Sequence, residues 1–150
     1  MTPLRGLVGV LVGLAVSVGF VQLLELMLAN AVAGRALQSM DDYALVLNTL
    51  PLLGIRLVVS SFMALLGGYV CAKLAEHDEM RYTMVAVLFR AIALAGGNTA
   101  GYMPRTPVWA LAVLLIVSSA AMLAGGAVRA AAATARKVGP YRDPVAGEKS

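Results

Sequence analysis

Four long apolar runs constrain this chain more than any other feature of its sequence. They cover about residues 6–28, 50–74, 82–97 and 107–128. A helix of about 20 apolar residues crosses the hydrocarbon core of a bilayer. None of the runs shows the strict alternation of a membrane β-strand. The sequence therefore predicts an all-α integral membrane protein that folds as a four-helix antiparallel bundle.

The composition agrees with this fold class and excludes several others. Of the 150 residues, 60% are apolar and 13% are charged, whereas soluble domains carry about 25% charged residues. The mean hydropathy is +0.82. A soluble enzyme, a disordered regulator and a nucleic-acid reader are not expected. The length suits one transmembrane domain over residues 1–138 and a mobile cytoplasmic tail over residues 139–150.

The start of the chain has a competing interpretation as a signal peptide. Arg5 supplies a basic segment, and Ala29-Asn30-Ala31 fits a cleavage pattern. The apolar stretch is longer than the usual 7–15 residues or so, which favours a retained first span. Between the first two runs, Ser39 followed by acidic residues is typical of a helix start. We therefore expect a short interfacial helix before the second span.

The distribution of lysine and arginine predicts the orientation. With the N-terminus inside, two basic residues, Arg35 and Arg105, lie on the outer side. The cytoplasmic side then carries eight: Arg5, Lys73, Arg81, Arg129, Arg136, Lys137, Arg142 and Lys149. Because basic residues concentrate on the cytoplasmic side of membrane proteins, both termini are predicted to be cytoplasmic.

Small residues spaced four apart predict close helix contacts in three of the runs. These seam residues are Gly9, Gly13 and Ser17 in the first run, Ser60, Ala64, Gly68 and Ala72 in the second, and Ala121 and Gly125 in the fourth. Such seams serve packing within one chain or association with another chain. The sequence leaves both alternatives open.

Three ionisable residues lie within the runs: Glu25, Arg56 and Arg90. Each costs about 2.5–3.5 kcal/mol at the centre of a bilayer, so each is a candidate functional residue. Glu25 comes late in the first, outward-running helix, and Arg56 comes early in the second, inward-running one. Because helical side chains lean toward the N-terminus of their own helix, the two are predicted to converge and pair. The alternative is separate snorkelling to the outer interface.

Arg90 has no acidic residue of this chain at its level in the third run. The simplest interpretation is that its side chain snorkels toward the cytoplasm. The alternatives are a carboxylate of a partner subunit, a lipid phosphate, or a water-filled path for an anion. Gln22, Asn48 and Asn98 are candidates for further polar contacts.

No pattern in the sequence predicts a catalytic residue, a metal or a cofactor. His77 lies beside acidic residues, but no second histidine exists to complete a metal site. Asp78 is expected to cap the third helix instead. Cys71 is the only cysteine, so an intrachain disulfide is excluded. The basic tail is explained by attraction to anionic lipid, without nucleic acid.

The segment Leu66–Ala75, with its Gly-Gly-Tyr and Lys-Leu-Ala sequences and the short turn that follows, resembles a segment of uncharacterised small bacterial inner-membrane proteins with four spans. The resemblance implies a bacterial inner membrane and no particular activity. Small multidrug transporters also have a glutamate in the first helix, but Glu25 lies too near the helix end to match them.

Two functions follow as expectations. The first is a non-catalytic accessory or scaffold subunit that packs against other membrane proteins through its small-residue seams. The second is a small homo-oligomeric transporter or channel that uses Glu25, Arg56 and Arg90. An integral-membrane enzyme is not expected, because no pattern in the sequence brings a nucleophile and a base together.

Overall fold

The computed structural model describes residues 3–34, 37, 39–75, 78–100 and 106–138, and it is helical throughout apart from short connections. The predicted tail, residues 139–150, lies outside the described residues, as do His77 and Glu76. The helices are α1 (Pro3–Leu14), which continues through a π turn (Ala15–Gly19) into α2 (Phe20–Ala33), then α3 (Met40–Leu47), α4 (Leu50–Ala75), α5 (Glu79–Ala100) and α6 (Val108–Val138).

Four helical segments are long and apolar enough to cross a membrane: Leu4–Ala33, Leu50–Ala75, Glu79–Thr99 and Val108–Arg136. This confirms the all-helical class and the number of candidate spans. The segments extend beyond the predicted runs because further residues, many of them alanine, continue the helices at their ends. Gly34 closes α2 with a left-handed φ of 62°, which is a common helix C-cap.

The beginnings of α3 and α5 show how local sequence sets the helix boundaries. Ser39 Oγ accepts a hydrogen bond from the Asp42 N–H at 3.1 Å, so the predicted helix-start signal does open a short helix. At α5, the carbonyl of Asp78 accepts the N–H of Tyr82. The helix therefore begins at Glu79, three residues before the predicted start of the run. The carboxylate of Asp78 lies 3.6 Å from the Arg81 guanidinium.

Helix α4 is the centre of the bundle and contacts α1, the π turn, α5 and α6. Glycines of α4 and of its neighbours permit close approach of the helix backbones. A Cβ atom on Gly13 of α1 would lie 2.7 Å from the carbonyl oxygen of Gly67. A Cβ atom on Gly68 would overlap the carbonyl of Met122, and one on Gly125 would overlap that of Leu65. These glycines therefore pack against the backbones of neighbouring helices within the chain.

The outward faces of the helices are apolar along their middle portions. Near the middle of α4, α5 and α6, Val58, Leu88 and Ile116 are 69%, 60% and 70% exposed. A soluble monomer rarely exposes a continuous apolar surface of this extent. The same faces suit contact with lipid tails or with other membrane helices.

Candidate functional site

The structure brings Glu25 and Arg56 together inside the bundle. Arg56 Nε donates a hydrogen bond to Glu25 Oε1 at 2.7 Å, and both residues are buried. Arg56 Nη1 also donates to the Thr106 hydroxyl at 2.8 Å. Asn98 Oδ1 in turn accepts the Thr106 N–H at 2.8 Å. The two charged side chains thus hold each other, and separate snorkelling does not occur.

Arg90 is 2% exposed and points into the bundle. Its Nη2 donates to the Ser60 hydroxyl at 2.8 Å and its Nη1 donates to the Ser118 hydroxyl. Its Nε is buried without a hydrogen-bond partner. No carboxylate among the described residues forms an ion pair with it. The prediction that Arg90 snorkels is therefore wrong, because two hydroxyl groups on neighbouring helices accept its hydrogen bonds in the interior.

The level of these residues along their helices explains the contact. Ser60 and Ser118 each follow the first residue of their helix by ten positions, and Arg90 follows Glu79 by eleven. At about 1.5 Å per residue, all three lie roughly 15–17 Å from the starts of their helices. The polar side chains of α4, α5 and α6 therefore meet near the middle of the bundle.

The π turn in the first span keeps one face of that helix directed inward. Residues four apart on an α-helix are turned by about 40° relative to each other. The wider π turn offsets this drift, so that Gly13, Ser17, Val21 and Glu25 are all buried. Turns of this type are frequent at functional sites. Here the turn lets the carboxylate face the interior.

A cavity of about 510 Å³ joins the two charged clusters. Its polar lining includes Glu25, Arg56, Arg90 and Ser60. Most of the remaining wall is apolar and consists of Val18, Val21, Leu23, Leu26, Leu37, Met40, Leu94 and Leu114. A cavity of this size accommodates a small organic molecule.

The cavity reaches the outer apolar surface of the bundle beside α2 and α3. Leu23, Leu26 and Met40 line the cavity and are also 54%, 49% and 54% exposed. The first half of the first span, α1, packs against α5, whereas its second half, α2, packs against α3 and α4. The opening lies where the two halves of the span take different neighbours. The mouth of the cavity is therefore bordered by apolar side chains.

The charges in the cavity do not balance. Among the described residues, two guanidinium groups and one carboxylate line it, which gives a formal charge of +1. Since Arg56 is paired with Glu25, the excess positive charge belongs to Arg90. A buried charge without a counter-ion is strongly disfavoured unless a ligand or water compensates it. The arrangement is suited to binding an anion.

Tyr43 of α3 lines the same cavity. Burial, together with the nearby Glu25 carboxylate, raises the pKa of Tyr43 to about 12, although Arg56 acts in the opposite direction. The hydroxyl therefore stays protonated at neutral pH. It can donate a hydrogen bond to a ligand but adds no negative charge to the cavity.

A second ion pair lies away from the cavity. Glu79 Oε1 is 3.9 Å from Arg129 Nη2, so the first turn of α5 is tied to α6. Glu79 Oε2 is buried without a hydrogen-bond partner. Neither residue lines the cavity. We assign this pair to helix packing.

The sequence does not predict Thr106 and Ser118 as partners of the two arginines. A signal existed for Ser118, because a hydroxyl residue in the middle of an apolar run needs a polar partner. Thr106 offered no such signal, because it lies in a connection and meets Arg56 only through tertiary folding. No group of residues suited to a metal ion occurs in the part of the chain that the structure describes.

No protein-family model, curated protein or solved structure is significantly similar to this chain. The resemblance of Leu66–Ala75 to small bacterial inner-membrane proteins therefore stays a prediction.

Proposed function

We propose that this protein is a small integral membrane transporter or channel that binds an anion at Arg90. The observation that carries the proposal is a guanidinium that is 2% exposed, lines a cavity and has no carboxylate partner among the described residues. Intramembrane charges are costly and are characteristic of substrate and ion pathways. An anion in the cavity would neutralise the charge of the Arg90 guanidinium.

We further propose an antiparallel bundle in a bacterial inner membrane, with both termini in the cytoplasm. The support is the ratio of eight basic residues to two across the ends of the spans. In this orientation the cavity mouth near α3 faces the outer half of the bilayer. Cysteines introduced at Leu45 and at Arg81, in a Cys71→Ala background, test the orientation. An impermeant thiol reagent added to intact cells should label the first position and not the second; the reverse pattern would contradict the proposed orientation.

The accessory or scaffold role is a second proposal. The apolar outer faces of the helices suit contact with partner helices as well as with lipid. We place this role second because Gly13, Gly68 and Gly125 pack against backbone within the chain. The surfaces that suggested docking are therefore occupied internally.

Ligand-induced stabilisation tests the anion site directly. Cys71 is the only cysteine and is buried, so a thiol-reactive dye reports unfolding of the purified protein without any labelling mutation. We expect at least one of chloride, phosphate, acetate and decanoate to raise the midpoint of thermal unfolding. At a hundred times its dissociation constant, a ligand stabilises the folded state by about 2.7 kcal/mol.

Two arginine variants provide the matched comparison. Arg90→Met removes the buried charge, whereas Arg81→Met removes an exposed charge of the same sign. The stabilisation should disappear in the first variant and persist in the second. Equal stabilisation of both variants, or no response of the wild type to any of the four anions, would overturn the anion site.

Anion flux into proteoliposomes separates the two proposals. A transporter or channel should conduct the anion that stabilises it, and Arg90→Met should lose the flux while remaining folded. An accessory subunit should show no flux but should lose a co-purifying membrane protein when the same residue is changed. The second pattern would replace the first proposal with the second.

A further inference from the structure

We infer that the anion is a single-chain amphiphile, with a compact monoanionic carboxylate at Arg90 and a hydrocarbon chain along the cavity wall. The inference rests on the proposed anion site and adds the chemical class of the ligand. It depends on three separate features of the cavity: its charge, its apolar wall and the surface onto which it opens.

The charge of the cavity favours a monoanion. The described residues of the lining carry a formal charge of +1 from two arginines and Glu25, which one negative charge neutralises. The guanidinium of Arg90 suits a planar carboxylate. The Ser60 hydroxyl, which lines the cavity and contacts Arg90, is a further hydrogen-bond donor at the same place. A dianion would leave an uncompensated negative charge in the interior.

The wall beyond the charged end is suited to hydrocarbon. Val18, Val21, Leu94 and Leu114 line the same cavity as Arg90, and a bare inorganic ion would leave these surfaces without a partner. Burial of each additional methylene contributes about 0.8 kcal/mol. That value corresponds to a roughly fourfold gain in affinity per methylene until the cavity is filled.

The mouth of the cavity indicates that the ligand enters from the membrane. Leu23, Leu26 and Met40 border both the cavity and the exposed apolar face of the bundle. A hydrocarbon chain passes such an opening more easily than a hydrated ion does, because the ion would lose its water against apolar side chains. The Glu25 carboxylate also lines the cavity and disfavours a second anion next to its pair with Arg56.

A chain-length series tests the ligand class with the full-length protein in nanodiscs. Binding of butanoate, hexanoate, octanoate and decanoate is measured by calorimetry, with decan-1-ol and inorganic phosphate as comparisons. We expect affinity to rise with chain length by about fourfold per methylene. Decan-1-ol should bind at least about tenfold more weakly than decanoate, because it lacks the charge that Arg90 binds.

Serine variants supply matched controls that leave the charge of Arg90 in place. Ser60→Ala and Ser118→Ala remove the hydroxyls that hold Arg90 and should weaken decanoate binding by roughly two- to tenfold. Ser61→Ala should leave it unchanged, because that hydroxyl bonds to the Leu57 carbonyl instead. Arg90→Met should reduce decanoate to the affinity of decan-1-ol.

The outcomes separate this inference from the proposed function. If short and long carboxylates, or phosphate and decanoate, bind equally and all depend on Arg90, the ligand class is wrong and the anion site stands. If no carboxylate and no phosphate binds in an Arg90-dependent manner, the anion site itself is wrong. If decan-1-ol matches decanoate in both wild type and Arg90→Met, the cavity binds hydrocarbon only and the inference is overturned.

Discussion

Removal of one member of the Glu25–Arg56 pair should destabilise the protein strongly. Glu25→Gln removes the negative charge from the group that accepts the 2.7 Å hydrogen bond from Arg56 and leaves a buried guanidinium with neutral partners, the side-chain amide oxygen at position 25 and the Thr106 hydroxyl. Breaking a buried ion pair from one side costs about 3–5 kcal/mol. This is well above the average of about 0.6 kcal/mol for polar contacts between membrane helices. The cost is mainly that of burying an uncompensated charge.

A double-mutant cycle isolates this pairwise contribution. Glu25→Gln, Arg56→Met and the double variant are unfolded thermally, with the accessibility of Cys71 as the readout. The double variant should be more stable than the sum of the single changes predicts, with a coupling energy of about 3 kcal/mol, because it no longer buries an unpaired charge. Additivity within about 0.5 kcal/mol would refute the pairing. The Glu79–Arg129 pair should give a smaller coupling energy, because its two charges are 3.9 Å apart and not 2.7 Å.

Two further predictions concern helix packing and Tyr43. Gly68→Ala should destabilise the bundle, because the added Cβ overlaps the Met122 carbonyl. The Cβ added by Gly54→Ala meets nothing within 4 Å, so this variant should be more stable than the wild type by about 0.5–1 kcal/mol. The same unfolding assay compares the two variants, and equal effects would contradict the Gly68–Met122 contact. Tyr43 should ionise near pH 12 rather than at its ordinary value of 10.0, so stability should fall as pH rises through this interval, because the unfolded state loses its proton first. The pKa of Tyr43 is measured by an absorbance titration of the wild type from which that of Tyr43→Phe is subtracted. Glu25→Gln should lower this pKa. A pKa of 10 would show that Tyr43 is solvated.

The sequence contains enough information to predict the helices and the Glu25–Arg56 contact. The four apolar runs mark the helices because a helix buried in lipid must be apolar over its length. The direction of the two helices and the lean of their side chains are enough to predict that Glu25 and Arg56 lie close together. These are local rules, and they act without knowledge of how the helices are arranged around one another.

The environment of Arg90 could not be predicted in the same way. Whether a long side chain turns inward or toward the interface depends on which helices flank it, and the sequence does not state that α4 and α6 lie on either side of α5. The π turn was likewise invisible, because the apolar pattern of residues 6–28 is continuous through it. Both features arise from tertiary packing around α4.

The most direct measurement follows the Nε–H group of Arg90, which is buried and has no hydrogen-bond partner. Its nitrogen resonance is recorded by NMR for the protein in nanodiscs, assigned by its absence in Arg90→Lys, during a titration with decanoate. We predict a shift that saturates at the dissociation constant measured by calorimetry, while the Nε resonance of Arg81 stays constant. Saturation of binding with no change at Arg90 would contradict the assignment of this arginine as the anion-binding residue.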